Sequence, residues 1–373
     1  MIRTVMEVSQ QVNPGIRLSV LVTPTKSGGS LARLLRSLGR EVDTGPGTEI
    51  VVVVPSDRVN DGLETQADRL RSQGLRVRIL KVGPGGASDV PGWRAAAFEA
   101  ASGTVRVFLE DNATIEPGWW QAWNAMADRD DWTIATGSVV ADSAALSMAA
   151  TGVFFCEYGL FVPRTGLGKP LPLKRVAGNH WAVHCGKIGL PATGNEIDEH
   201  VWTHRFVQPG RKPARNELAA VRCRREVGAV EAIVERTRQG FRFGRDECRR
   251  ARPIRRIKMV HGGHAIILVQ IVRLVAVVAI RRSHRGLLLR SLPWTVALLK
   301  AWSFSEWAGW CYGSFEALFH ANLKNRTERR GESPEGSGPF QGRVVERHEP
   351  TSSLFAGTHA RRRDVAHDFR IPS

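Results

Sequence analysis

The chain has 373 residues, 42% of them apolar, which is enough for one large α/β domain with an appendage and excludes global disorder. Its five cysteines, at 156, 185, 223, 248 and 311, contain no C-x2-C pair of the kind a zinc ribbon or dithiol site needs, and read as unpaired thiols of a reducing compartment. The formal charge of +17 is uneven: residues 205–290 hold 22 Lys and Arg against 6 Asp and Glu, a block suited to nucleic acid, an anionic bilayer or phosphorylated substrates.

Residues 1–17 contain no apolar stretch of signal-peptide length, so no secretory signal is expected there. From Leu18 the chain alternates short apolar runs with amphipathic segments. Strands are expected at Leu18–Val22, Glu49–Val54, Arg76–Lys81 and Thr104–Leu109, each typical of a buried parallel strand. Helices closed by glycine are expected at 30–38, 61–74 and 92–103. The alternation predicts a doubly wound α/β half that binds a nucleotide, with its ligand at the carboxyl ends of the strands. The segments after Val22, Val54 and Leu109 are therefore the places to look.

After Leu109 stand Glu110, Asp111 and Asn112. Carboxylates at a strand end face the crevice, where oxygen donors can hold Mg²⁺ or Mn²⁺ against a diphosphate. Taken alone, the same residues also fit a solvated turn ahead of a helix.

Past the basic block come HAIILVQIVRLVAVVAI (264–280), RRSHR, and GLLLRSLPWTVALLKAWSFSEWAGWCYG (286–313). Basic flanks and Trp-bearing apolar stretches suit an interfacial membrane element. The first run is 17 residues with Arg273 inside it, at the lower limit for crossing ~30 Å of hydrocarbon. Three readings stand: a span, an in-plane or re-entrant helix, and a buried core helix with a snorkelling Arg. No helix-turn-helix, zinc-finger or RNP-type signature accompanies the basic block, so nucleic acid is not an expected partner. From about residue 325 the chain is polar and charged and is expected to form a disordered tail.

Several of these segments together resemble family 2 glycosyltransferases. LSVLVTPT followed by LARLLRSL is similar to that family's opening strand, Pro-Thr turn and helix. WRAAAFEAASGTVRVFLEDNATIEPGWW resembles its Arg-Asn-x-Gly helix, metal-motif strand and Pro-Gly-Trp. NEIDEHVWTHRFVQPGRK resembles its Glu-Asp-x-Asp-Leu-x-x-Arg-Leu-x-x-x-Gly segment. The resemblance covers about residues 18–313, including CEYGLF (156–161) and FRFGR (241–245).

It implies a GT-A (Rossmann-like) domain over residues 16–230 after an N-terminal extension at 1–15. A membrane-associated helical region follows at 231–324, then the tail at 325–373. It also implies inverting, metal-dependent hexosyl transfer from a UDP-, GDP- or dTDP-sugar to a lipid-linked or polysaccharide acceptor, at the cytoplasmic face of the plasma membrane. Pro24, Thr25 and Arg94 would frame the nucleotide, with Asp57 as a displaced base-reading carboxylate. Glu110, Asp111 and Asn112 would carry Mg²⁺ or Mn²⁺, and Gly178, Asn179 and His180 would line the acceptor side. Glu199 takes the place of the general base, with Asp198 beside it. Arg242 and Arg245 would add positive charge near a diphosphate or lipid phosphate, or else face solvent or bilayer.

Three departures bear on turnover. Val54-Pro55-Ser56-Asp57 stands where the family has Asp-Asp-Gly-Ser, Ala95 and Ala97 replace the Asn and Gly of the Arg-Asn-x-Gly helix, and Asn112 is a neutral metal donor. A GT-A-like protein without activity, serving as a membrane scaffold, is the alternative these losses suggest.

Overall fold

The computed structural model describes residues 15–24, 28–40, 47–56, 61–83, 90–144, 146–163, 176–188, 197, 202–203, 213–224, 227–262, 268–269, 271–272, 274–276 and 282–329. The chain forms two compact units, Met1–Ala317 and Leu318–Ser373.

The expected strands form at β1 (Leu18–Thr23), β2 (Thr48–Pro55), β3 (Arg76–Val82) and β4 (Val105–Glu110). They lie side by side in the order β3-β2-β1-β4, all parallel. β2 reads TEIVVVVP and is buried at every position because helices cover both its faces. Ile50, Val52 and Val54 pack with the leucines of α1 (Gly28–Leu38) and α2 (Asp61–Ser72), while Val51 and Val53 pack with Trp93 and Phe98 of α3 (Val90–Ala100). β3 is the edge strand and alternates exposed Arg and Lys with apolar positions, which blunts the free edge. The turn from α2 into β3 is a Schellman cap: Gly74, at φ +87°, donates to Arg71 O at 2.9 Å and Leu75 donates to Leu70 O at 3.1 Å.

The parallel half is the doubly wound half the alternation predicts, and beyond β4 the sheet is mixed. β7 (His180–His184) runs antiparallel to both β4 and β6 (Ile134–Ala141); β8 (Ala214–Cys223) is parallel to β6; the short β5 (Ala113–Ile115) closes the edge antiparallel to β8. The first helix of this half is α4 (Trp119–Ala127), entered through Gly118 at φ +81°, followed by α5 (Met148–Tyr158) and α6 (Cys185–Ile188). Trp181 of β7 stacks on Phe108 at 4.2 Å, continuing the aromatic layer under α3.

The basic region folds as α7 (Ala229–Arg250), α8 (Pro253–Gly262), a helical stretch described at 268–269, 271–272 and 274–276, and α9 (Arg282–Arg329). α7 is fastened to α5 by a buried Arg236–Glu157 ion pair and by Val153, Ala232 and Leu298. α7 and α9 approach through glycines. A Cβ on Gly244 would meet Glu306 O at 2.0 Å, and one on Gly309 would meet Phe241 O at 2.2 Å. FRFGR is therefore a helix-packing motif.

Among the described residues no helix is long and apolar enough to cross a membrane. That removes the support for C-terminal spans there. The apolar stretch 286–313 lies within α9, where Leu298 packs against α5 and α7 and Trp310 packs beside Cys248 of α7. The other residues of 264–280, and all of the expected tail beyond 329, lie outside the described residues.

Candidate functional site

In a sheet ordered 3-2-1-4 the chain reverses its winding between β1 and β4, and a crevice opens at their carboxyl ends. Those ends are Thr23 and Glu110, which are partners in register. Asp111 N donates to Thr23 O at 3.1 Å, and Pro24 follows, buried. Because β7 runs antiparallel to β4 with Leu109 opposite His180, the turn before β7 comes to the same edge. Glu110 N accordingly donates to Asn179 O at 3.3 Å.

Arg94 ties these pieces together. It sits on α3 one residue after Trp93, whose ring is packed into the sheet-facing layer. Its Nη2 donates to Glu110 Oε1 at 3.0 Å and to Gly178 O at 2.8 Å, and the residue is only 3% exposed. A guanidinium this desolvated is held by its partners, so the pair fixes the direction of the Glu110 carboxylate. Asn112 faces the same side as Glu110: its Nδ2 donates to Glu110 Oε2 at 3.3 Å. Asn112 Oδ1 and both amide atoms of Asn179 are buried with no hydrogen-bond partner among the described residues. Asp111, between Glu110 and Asn112, is fully buried.

The structure thus brings together Pro24, Arg94, Glu110, Asp111, Asn112, Gly178 and Asn179 from four separate segments. No group of three His, Cys, Asp or Glu gathers as a metal cluster among the described residues. The oxygen donors present, the Glu110 carboxylate and the buried Asn112 Oδ1, are of the hard type that Mg²⁺ or Mn²⁺ takes alongside substrate phosphates. They fit such an ion.

His180 is placed differently from the acceptor-side role its neighbours suggested. Its ring lies wholly in the core, where Nε2 accepts from Trp119 Nε1 at 3.0 Å and Trp123 Nε1 at 3.2 Å and Nδ1 lies 3.2 Å from Ser138 O. Two donors at Nε2 fix the proton on Nδ1. Burial pushes the pKa down to about 3, so the ring is neutral. A buried imidazole with every nitrogen engaged has nothing to offer an acceptor.

Thr25, Asp57, Asp198 and Glu199 lie outside the described residues. Ile197, just before the Asp198–Glu199 pair, donates from its N to Pro91 O at 3.0 Å at the start of α3, and Trp202, three residues beyond the pair, sets its edge against Phe98 at 5.2 Å. Arg242 lies on α7, lining an apolar groove of about 360 Å³ with Arg238, Phe241 and Phe304. Arg245, on the same helix, lies 3.7 Å from Asp246. The sequence reading missed Thr23, which carries no distinguishing signal, and the carbonyl of Gly178, whose role depends on a helix 84 residues away.

No protein-family model matches the sequence, and no curated protein does. Solved structures similar to it include a mannosyltransferase, PcManGT from Pyrobaculum calidifontis with GDP-Man and Mn²⁺, at 13% identity over 80% of this chain and 88% of that one, TM-score 0.44. S. aureus TarS 1–349 is 13% identical over 86% and 93%, TM-score 0.41. Glucosyl-3-phosphoglycerate synthase from Mycobacterium tuberculosis, with phosphoglyceric acid, is 16% identical over 60% and 78%, TM-score 0.37. Likeness this loose carries no argument about the site.

Proposed function

We propose that this chain is a GT-A glycosyltransferase of the family 2 type, moving a hexosyl group from a UDP-, GDP- or dTDP-sugar to a lipid-linked or polysaccharide acceptor at the cytoplasmic face of the plasma membrane. One observation carries the reading. Arg94, the Glu110–Asn112 strand end and the Gly178–Asn179 turn, three motifs read separately in the sequence, meet where β1 and β4 part.

Glu110 and Asn112 are the residues to hold Mg²⁺ or Mn²⁺, which when bound supplies charge neutralisation on the departing diphosphate. Arg94 acts as a positioning residue: by gripping Glu110 and the Gly178 carbonyl it keeps the strand-end oxygens pointed one way before the donor arrives. Pro24 and Thr25 line the nucleotide side and Asp57 reads the base. The acceptor side is formed by Gly178 and Asn179.

Transfer is inverting, with Glu199 taking the proton of the acceptor hydroxyl as that oxygen attacks the anomeric carbon and the nucleoside diphosphate leaves. Asp198 stands in support. The segment bearing them follows Ile197, which is fastened to the first turn of the helix that carries Arg94.

The neutral Asn112 and the Arg94–Glu110 pair, which offsets one of two carboxylates, favour a second reading: a GT-A-like protein without turnover. Product identity separates the two. Incubation with labelled UDP-, GDP- and dTDP-sugars and Mn²⁺ is expected to release a nucleoside diphosphate from one of them. No release from any donor would leave the inactive reading, and pyrophosphate released instead from a nucleoside triphosphate and a sugar 1-phosphate would mean a nucleotidyltransferase.

A further inference from the structure

The α/β part keeps its apolar side chains inside. Of the described large hydrophobic residues that lie exposed, Met148 and Leu218 alone precede residue 230; all the others, fifteen in number, come from the basic helices. Six of the fifteen lie on two segments that are neighbours in sequence.

α8 buries no residue at all, yet it contains two isoleucines. At 100° per residue its Arg256, Met259 and Val260 share one side. That side is the partly buried one: Val260 O accepts from Trp307 Nε1 at 2.8 Å, and Met259 packs on the Cys248–Ala251–Trp310 cluster. The opposite side carries Ile254, Ile257, Lys258 and His261, with the isoleucines 66% and 60% exposed. Lys258 on α8 and Arg252 just before it are exposed, α8 itself contains no acidic residue, and Arg255 is turned to Glu247 of α7 at 3.2 Å.

The helical residues around 268–276 repeat the arrangement with more apolar surface. Ile271 and Leu274 face the core beside Phe155 and Tyr158, while Leu268, Val269, Val272 and Val275 stand exposed. A helix apolar on its inner and outer sides does not rest against water without cost.

We infer that the outward faces of residues 252–262 and of the described residues at 268–269, 271–272 and 274–276 form one docking surface for an anionic phospholipid bilayer, with Ile254, Ile257, Leu268, Val269 and Val272 in the acyl boundary and Arg252 and Lys258 at the headgroups. Exposed apolar side chains beside cations, on a helix that carries no acid of its own, are the pattern that lies in a membrane interface. The charge also argues against a second copy as the occupant, since a two-fold contact would set the same cations against one another. Duplex nucleic acid would pair with the cations but leave the isoleucines and valines in water.

This inference rests on the membrane location in the proposed reading and makes no use of the donor site; its failure would remove that location and leave sugar transfer itself to be judged by donor binding. The full chain is tested by flotation with phosphatidylcholine vesicles, with and without phosphatidylglycerol, as wild type, as an Ile254→Glu/Val272→Glu double variant, and as Leu218→Glu, a change at an exposed residue of β8. Binding is expected on the phosphatidylglycerol vesicles, weakened by added salt, reduced about tenfold or more in the double variant and unchanged in Leu218→Glu. Thermal melting of all three should coincide, because every substituted side chain is exposed. Equal binding to both vesicle types, or a double variant that floats like wild type, would overturn the inference. So would a concentration-dependent dimer or duplex-DNA binding that the double variant abolishes while vesicles are ignored.

Discussion

His180 sets up a dependence of stability on pH whose size follows from its surroundings. In the folded chain Nε2 already receives two indole N–H groups, so a proton added there would face Trp119 and Trp123 donors with no acceptor to meet it. The folded pKa is accordingly about 3 against an ordinary 6.5. Because the folded value is depressed, the unfolded chain binds the extra proton first, and stability falls as pH drops through 6.5. At pH 5 the unfolded imidazole lies about 1.5 units below its midpoint, which at ~1.36 kcal/mol per unit removes about 2 kcal/mol. For a chain of this size that is roughly 3 °C of melting temperature.

Urea unfolding at pH 7.5 and pH 5.0 reads the difference directly. His180→Gln should be less stable at pH 7.5, having weakened the acceptor shared by two tryptophans, yet it should lose about 2 kcal/mol less than wild type on going to pH 5. His184, whose pKa is lowered by burial and by Lys187, adds a slope of the same sign that the variant retains. A His180 ring that titrates near 6.5 by NMR in the folded protein, or a wild-type stability indifferent to this interval, would refute the packing argument.

Removing Arg94 leaves Glu110 and the Gly178 carbonyl without their buried partner; Arg94→Ala is expected to cost about 3–5 kcal/mol in unfolding experiments, and Arg94→Lys less, because an ammonium still carries the charge. Gly244→Ala, a favourable change in most helices, should instead destabilise by about 1–3 kcal/mol, since its Cβ meets the Glu306 carbonyl; an unchanged melting temperature would contradict the close α7–α9 contact. Burial pushes the Cys156 and Cys185 thiols up to about 12 and about 11, so neither should react with a thiol reagent at pH 8 until the chain is unfolded.

The parallel half of the sheet was legible because strands covered on both faces become continuous apolar runs, as in TEIVVVVP, and each ended within a residue or two of its expected limit. The other half was not. β5 has three residues, and β8 mixes Arg, Asn and Glu into a strand whose register shifts at Gly137/Ser138 of β6. His180 was placed on the acceptor side by its resemblance to a family segment, because the partners that bury it, Trp119 and Trp123, lie 61 and 57 residues earlier. Within the site, strand-end chemistry exposed Glu110–Asn112, but the grip of Arg94 on Gly178 needed the antiparallel β7 to be seen. The glycine of FRFGR, Gly244, was visible as a letter, while its use against α9 depended on a helix some sixty residues on.

The central claim is that the oxygens of Glu110 and Asn112 receive a metal-bound nucleotide-sugar. Its most direct test is a calorimetric titration of the full-length protein with UDP-, GDP- and dTDP-sugars, with and without Mn²⁺, beside Glu110→Gln. The account predicts that one donor binds, that binding requires Mn²⁺, and that Glu110→Gln weakens it about tenfold or more while its unfolding curve shows a folded protein. A folded wild-type chain that binds none of the donors, or binds one equally well without metal and without the Glu110 carboxylate, would contradict it.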